Sequence, residues 1–309
     1  MDVKESALHS IGDTPLVKLN RTAKGLDANV FVKLEFYNPT GSMKDRMALA
    51  MIEGAERRGQ LRPGDTVVEY TGGSTGSSLA FVCAVKGYRL KIVTSDAFSK
   101  EKLNTMKAFG ADLTIVPSEG GRVTPDLIPN MMKRAEGIAL QLGAFRTNQF
   151  YNEDQLLGYN GIGREVLDQL DGNVDAFVAA FGTAGCAMGV AQVLKARSKL
   201  IQVFLVEPAE TPVVSKGTKG THHIEGIGVG FVPPLLRKEL YDEILTVTTE
   251  EAQQMARRLA KEEGIFSGTS TGANVVGAVR VAKKIGAGKN IVTVAIDTGL
   301  KYLTTEVFD

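Results

Sequence analysis

Lys44 is the residue of this chain with the clearest capacity for chemistry. It lies in Asn38-Pro39-Thr40-Gly41-Ser42-Met43-Lys44-Asp45-Arg46, after the apolar run 30–36 and before the helix-like segment 45–52. The run reads as a buried strand, and the Asn, Pro, Thr and Gly that follow read as a turn. Lys44 is therefore expected at a strand–turn–helix junction, close to a helix N-terminus. The positive end of a helix dipole disfavours an ammonium ion, so its pKa is expected below the ordinary lysine value. A neutral amine is what Schiff-base formation with a carbonyl requires. Taken alone, a lysine at a helix start is more often a solvated side chain. The neighbouring motifs decide between the two.

Three glycine-rich turns supply that context. Thr71-Gly72-Gly73-Ser74-Thr75-Gly76-Ser77-Ser78 opens a helix and gathers N–H groups and hydroxyls suited to a carboxylate or phosphate. Its Ser and Thr could equally serve only as helix caps. Phe181-Gly182-Thr183-Ala184-Gly185-Cys186-Ala187-Met188-Gly189 follows an apolar strand. Its spacing is neither the dinucleotide fingerprint nor a P-loop, so a single phosphate monoester fits better than a nucleotide. Ser267-Gly268-Thr269-Ser270-Thr271-Gly272-Ala273-Asn274 again leads into a helix. A neutral hydroxyl such as Ser270 can bond a ring nitrogen without protonating it. All three turns are expected at the C-terminal ends of strands, where open α/β sheets bind ligands.

The elements that must position these turns alternate along most of the chain, which predicts parallel α/β layers. Strands are expected at 66–70, 90–94, 112–116, 176–180, 201–206 and 291–296. Helices are expected at 76–85, 99–109, 130–142, 156–170, 249–261 and 272–284, with Gly120, Gly121 and Pro125 as breakers ahead of the third. At 309 residues and 43% hydrophobic, the chain can bury a large core, and its length favours two domains.

Composition excludes several classes. Net charge is +1 from 36 basic and 35 acidic residues without a basic run, so neither nucleic acid nor a membrane surface is expected as a partner. The charged start Met1-Asp2-Val3-Lys4-Glu5-Ser6 and the lack of a long apolar segment argue against a signal peptide or a membrane span. Two cysteines, Cys83 and Cys186, without a CxxC pattern, disfavour a disulfide scaffold or structural zinc and point to a reducing cytoplasm. Three histidines leave little for a catalytic triad or a metal site, and no metal is expected. Cys83, in an apolar run, is expected as a core thiol. His222 and His223 are expected in a surface loop, and Glu250-Glu251 and Lys261-Glu262-Glu263 on solvated helix faces.

Together these motifs resemble the cysteine synthase (O-acetylserine sulfhydrylase) and cystathionine β-synthase branch of the fold-type II pyridoxal-phosphate enzymes. The resemblance runs from Ile11-Gly12-Asp13-Thr14-Pro15-Leu16-Val17 to Lys301-Tyr302-Leu303-Thr304-Thr305. It takes in the lysine motif, the three turns, Asn148-Gln149-Phe150, Val206-Glu207-Pro208 and His223-Ile224-Glu225-Gly226-Ile227-Gly228-Val229-Gly230-Phe231. It implies two three-layer α/β/α domains with mostly parallel twisted sheets, like the tryptophan synthase β-subunit. The first domain would be 1–148, with the segment up to about Phe36 crossing to the other, and the second 149–309. It further implies a cytoplasmic homodimer.

Carried onto this chain, the resemblance gives Lys44 two tasks: holding pyridoxal 5'-phosphate as a Schiff base and removing the substrate Cα proton. Gly182, Thr183, Ala184, Gly185 and Cys186 would cup the phosphate, and Ser270 would contact the pyridine nitrogen. Thr71, Gly72, Ser74 and Thr75, with Gln149, would grip the amino-acid carboxylate, Ser74 also touching the cofactor. Gly228 would line the substrate site. A Ser at the ring nitrogen leaves the pyridine neutral, which suits β-elimination. The implied reaction is β-replacement on an O-activated serine through an aminoacrylate, foremost cysteine synthesis from O-acetylserine and sulfide. Alternatives are a specialised β-substituted-alanine synthase, a cysteine or serine β-lyase, and a non-catalytic partner-binding relative. The chain departs from the family pattern at Gly72 and Ser74, where Ser and Asn are usual, at Cys186, where Thr is usual, and at Leu300-Lys301, where Glu-Arg is common.

Overall fold

A computed structural model of the protein describes residues 3–121 and 126–308. The expected breaker Pro125 lies outside the described residues. The fold divides into two compact units. One takes the chain up to Ile11 together with Asn38–Gly158, and the other takes Gly12–Tyr37 together with the chain from Tyr159 onward. The division drawn from the sequence at 148 and 149 precedes this change of unit.

Along the chain, β1 (Leu16–Lys18) and β2 (Asn29–Leu34) come first. They are followed by α1 (Lys44–Arg57), β3 (Thr66–Tyr70), α2 (Ser74–Lys86), β4 (Arg89–Ser95), α3 (Lys100–Ala108), β5 (Asp112–Val116), α4 (Leu127–Leu142) and β6 (Phe145–Arg146). The helix α5 (Asp154–Gln169) spans the change of unit. After it come β7 (Ala176–Ala180), α6 (Gly185–Arg197), β8 (Gln202–Pro208), α7 (Val213–Lys216), β9 (Glu243–Val247), α8 (Thr249–Arg258), α9 (Thr269–Ile285) and β10 (Asn290–Ala295).

The first unit holds a four-stranded sheet in the order β5-β4-β3-β6, parallel throughout. The second holds a six-stranded sheet in the order β1-β2-β10-β7-β8-β9, in which only the edge pair β1–β2 is antiparallel. The α/β class and the largely parallel pairing are as expected. Central strands are apolar on both faces: β7 reads Ala-Phe-Val-Ala-Ala and is buried at every position, as a covered parallel strand must be. Its Ala176 and Val178 pack with Val30, Val32, Phe204, Val206 and Ile291, joined by Ala273, Val275, Ala278 and Val281 of α9.

The structure corrects the sequence expectations at several places. β1, β6 and β9 were not expected; they have three, two and five residues and lie at sheet edges, where partners rather than alternation define a strand. Helix α6 was not expected either, because its glycines lower helix propensity. Burial of nine of its residues overrides that preference. The helix expected to 261 stops at Arg258 and passes into one π turn, Leu259–Glu263. Nor are the charged runs merely solvated. Glu251 closes a capping box with Thr248 and pairs with Arg280, while Glu263 accepts from Thr22 N–H at 2.7 Å and its hydroxyl at 2.8 Å. Cys83 is a core thiol in α2, as expected, and burial pushes its pKa up to about 12. No helix among the described residues is long and apolar enough to cross a membrane.

Candidate active site

Lys44 is the first residue of α1, half-buried, and its N–H donates to Ser42 Oγ at 3.1 Å. The turn ahead of it is folded onto Asp45. That fully buried carboxylate accepts the Thr40 N–H at 2.8 Å and the Thr40 hydroxyl at 2.6 Å. Thr40 Oγ1 also lies 3.3 Å from Ser78 Oγ on α2, tying the lysine turn to the neighbouring helix. Gly41 sits in the left-handed region at φ +71°, which the reversal needs and a side chain would disfavour.

The same unit brings Thr71, Gly72, Ser74, Thr75 and Gln149 together. Helix α2 starts at Ser74 with Gly73 as an N-cap that provides no side-chain bond, and a helix start of this kind favours an anion. Thr71 Oγ1 accepts from Gly73 N–H at 3.1 Å. The Thr75 hydroxyl donates to Gln149 Oε1 at 2.9 Å, and Gln149 Nε2 donates to the Tyr70 carbonyl at 3.2 Å. A Cβ at position 72 would fall on the ring of Phe98, which lies against the glycine. Beneath the loop, on β3, Glu69 is fully buried, and its pKa is raised because burial outweighs the hydrogen bonds it accepts.

In the second unit the turn 181–189 leaves β7. Gly182 lies so close to the Gly226 carbonyl that a Cβ there would collide with it. Ala184, the N-cap of α6, adopts φ +67°, a left-handed geometry costing an alanine about 1–2 kcal/mol. Such strain persists where surroundings impose it and marks functional loops. The cap makes no side-chain bond, and Thr183 Oγ1 accepts the Gly185 N–H at 3.2 Å. Cys186, buried, is the second residue of the helix. Gly228 adjoins this turn: its N–H reaches the Phe181 carbonyl at 3.4 Å, and its φ is +62°.

Ser270 is the second residue of α9 and is buried. Asn274, one turn on, ties this helix to the ends of strands β7 and β10. Its Oδ1 accepts from Ala180 N–H at 2.6 Å and its Nδ2 donates to the Val294 carbonyl at 2.7 Å. The third turn does not follow a strand, contrary to expectation. It follows the π turn after α8, and only an isolated bridge between Ser267 and Thr298 gives it sheet character. The ring of Tyr302 stands where a Cβ on Gly268 would project, with its hydroxyl 3.3 Å from Asp297 Oδ2. Burial first, and the Asp297 charge next, push its pKa well above the ordinary tyrosine value.

Sequence reasoning missed several supporting residues. His222 is half-buried rather than a free surface histidine. Its Nδ1 accepts from Ile224 N–H at 3.2 Å, so Nε2 carries the proton donated to the Gly228 carbonyl at 3.0 Å. A charged residue inside Thr-Val-Val-Glu-Tyr was a usable signal for Glu69, since strand carboxylates are seldom buried without a task. Phe98 and Asn274 carried no local signal.

Comparison with known proteins bears on what this arrangement serves. Residues 7–297 match the family model described as pyridoxal-phosphate dependent enzyme. The chain belongs to this family. It is 43% identical over 300 residues to a cysteine synthase of Staphylococcus aureus (strain N315), covering 96% of this chain and 95% of that protein. Among solved structures it resembles the cysteine synthase of Entamoeba histolytica, with TM-score 0.94, 36% identity and coverage of 99% of this chain and 91% of that one. It also resembles an O-ureido-L-serine synthase, with TM-score 0.91, 37% identity and coverage of 99% and 96%.

The residues of this pyridoxal-phosphate dependent enzyme fit the cofactor it requires. The start of α6, where the helix dipole favours an anion, suits a phosphate, and the Gly226 carbonyl leaves no room for a side chain at Gly182. Ser267 Oγ, next to the N-cap of α9, is buried without a hydrogen-bond partner. That is costly for a hydroxyl unless a ligand satisfies it.

Proposed function

We propose that the enzyme catalyses β-replacement on an O-activated serine, foremost the conversion of O-acetylserine and sulfide to cysteine. The observation that supports this most is the 43% identity over 300 residues to a cysteine synthase. Lys44 binds the cofactor aldehyde and later takes the Cα proton of the amino acid. Gly182, Thr183, Ala184, Gly185 and Cys186 hold the phosphate with backbone amides and short side chains. Ser270 meets the pyridine nitrogen with a neutral hydroxyl. Thr71, Gly72, Ser74 and Thr75 grip the amino-acid carboxylate together with Gln149, Ser74 also touching the cofactor, and Gly228 lines the substrate site. Bound pyridoxal phosphate supplies the electron sink that lets the Cα–H bond break. By its likeness to cysteine synthases, the enzyme is taken to be a cytoplasmic homodimer.

A second function, synthesis of another β-substituted alanine, is favoured by one feature of this chain. The Phe98 ring lies against Gly72, where the family pattern has Ser, and the chain resembles an O-ureido-L-serine synthase. Offering O-acetylserine, O-phosphoserine, serine and cysteine in turn, with and without sulfide, separates these activities by product. Cysteine formed from O-acetylserine only when sulfide is present is expected. Pyruvate and ammonia without a nucleophile would instead identify a lyase. Borohydride reduction followed by peptide mapping should place the pyridoxyl label on Lys44, and a label elsewhere would overturn that role.

A further inference from the structure

Resting on the function proposed above, we propose that Glu69 is a positioning residue for recognition of the amino-acid carboxylate. It holds the turn that carries Gln149 beside the Thr71–Thr75 loop. Its carboxylate accepts three hydrogen bonds: the Tyr70 N–H at 2.9 Å on Oε1, and the Thr147 hydroxyl at 2.6 Å and the Gln149 N–H at 3.0 Å on Oε2. A valine, like its neighbours Val67 and Val68, would fill a buried strand position without the desolvation that a carboxylate suffers. The charge therefore matters for what it holds.

What it holds is a tight turn. Asn148 has φ +50°, a left-handed conformation for a residue with a side chain. The two residues flanking it, Thr147 and Gln149, both donate to the same oxygen of Glu69. That shared acceptor fixes the direction in which the Gln149 side chain leaves the backbone. The amide orientation of Gln149 follows from its neighbours. The Tyr70 carbonyl can only accept, so Nε2 faces it, and Oε1 takes the Thr75 hydroxyl. One Nε2 hydrogen then remains for a ligand, at the start of α2, where Thr75 donates to the other end of the same amide. Glu69 thus joins strand, turn and helix start into one anion-binding arrangement while lying beneath it.

Glu69→Gln keeps the volume but turns an NH2 group toward at least one N–H or hydroxyl donor. The expected result is binding of the amino-acid substrate weakened about ten- to a hundredfold, with the rate at saturation within about threefold and cofactor content unchanged. Comparing O-acetylserine with its carboxamide, by calorimetry and by the cofactor's spectral response, isolates the carboxylate. The wild-type enzyme should prefer the acid, and Glu69→Gln should erode that preference about tenfold or more. Thr147→Val, which removes one donor from the same carboxylate, should erode it in the same direction by a smaller factor even if Glu69→Gln folds poorly. An acid-to-amide preference unchanged in a folded variant would overturn the role of Glu69. A wild-type enzyme that turns over substrate yet binds acid and amide alike would also overturn the assignment of the Thr71–Thr75 loop and Gln149.

Discussion

Two helices start alike in the two units yet present different surfaces to a ligand. Helix α2 follows β3 and α6 follows β7, each through a glycine-rich turn, and neither N-cap, Gly73 or Ala184, supplies a side-chain bond. At α2 the surroundings are side chains: the Thr71 and Thr75 hydroxyls, the Gln149 amide and the Glu69 carboxylate beneath. At α6 they are mostly backbone, with Ala184 forced left-handed and Gly182 against a carbonyl. A backbone cradle changes little with mutation and suits a group that stays constant, such as a phosphate. A side-chain cradle can be retuned residue by residue and suits a group whose neighbours vary between substrates. Lesions around the α2 start, at Gly72 and its neighbours, should therefore damage substrate binding, and lesions around the α6 start, at Gly182 and its neighbours, should damage cofactor binding.

Lys44→Ala sets the upper end of the scale. It removes the amine assigned to both cofactor attachment and proton removal, so turnover should fall by on the order of 10³-fold or more in steady-state assays. Substantial residual turnover would mean another amine does the work. Gly182→Ala comes next. Its Cβ would strike the Gly226 carbonyl, and backbone cannot swing aside. About 2 kcal/mol of overpacking should weaken cofactor binding roughly 30-fold in a titration of resolved enzyme. At saturating cofactor, KM for the amino acid should stay within about threefold. A KM defect of equal size would break the division between the two helix starts.

Gly72→Ser tests the other half. The added side chain meets the ring of Phe98, which can move at the expense of its packing. About 1 kcal/mol, hence roughly a fivefold change in KM for the amino acid, is expected, with cofactor affinity unaltered. Combining it with Phe98→Ala should relieve the change, because the two substitutions share one contact.

How much of this was legible before the structure follows the same division. Strand β7 and the turn at Gly182 were readable because six apolar residues, Ala176 to Phe181, followed by Gly-Thr-Ala-Gly form a local pattern. The α6 helix was hidden by the same glycines, whose propensity argues against it until burial is counted. Gln149 and Gly228 came from family resemblance, not from any spacing of their own. What their supports reach was not legible, even where a support such as Glu69 stood out. Glu69 meets Gln149 across 80 positions of sequence, and Asn274 meets Ala180 across 94. Periodicity reports which face of one element is buried. It carries no information on which distant turn a buried polar side chain will reach.

Cys186→Thr is the smallest and most discriminating case. The thiol stands at the second position of α6, where the family pattern has Thr, and it is buried. If its side chain faces the phosphate, replacing a weak S–H donor by a hydroxyl adds a better hydrogen bond. A net 0.5–1 kcal/mol should then tighten cofactor binding by about two- to fivefold, without altering KM for the amino acid. If the side chain faces the core, the extra methyl and the buried hydroxyl would instead weaken binding or lower the melting temperature. The sign of the change in cofactor affinity therefore tells whether the second helix start uses side chains at all. A clear tightening would mean that the second cradle, too, is tunable, and that its backbone only sets the frame.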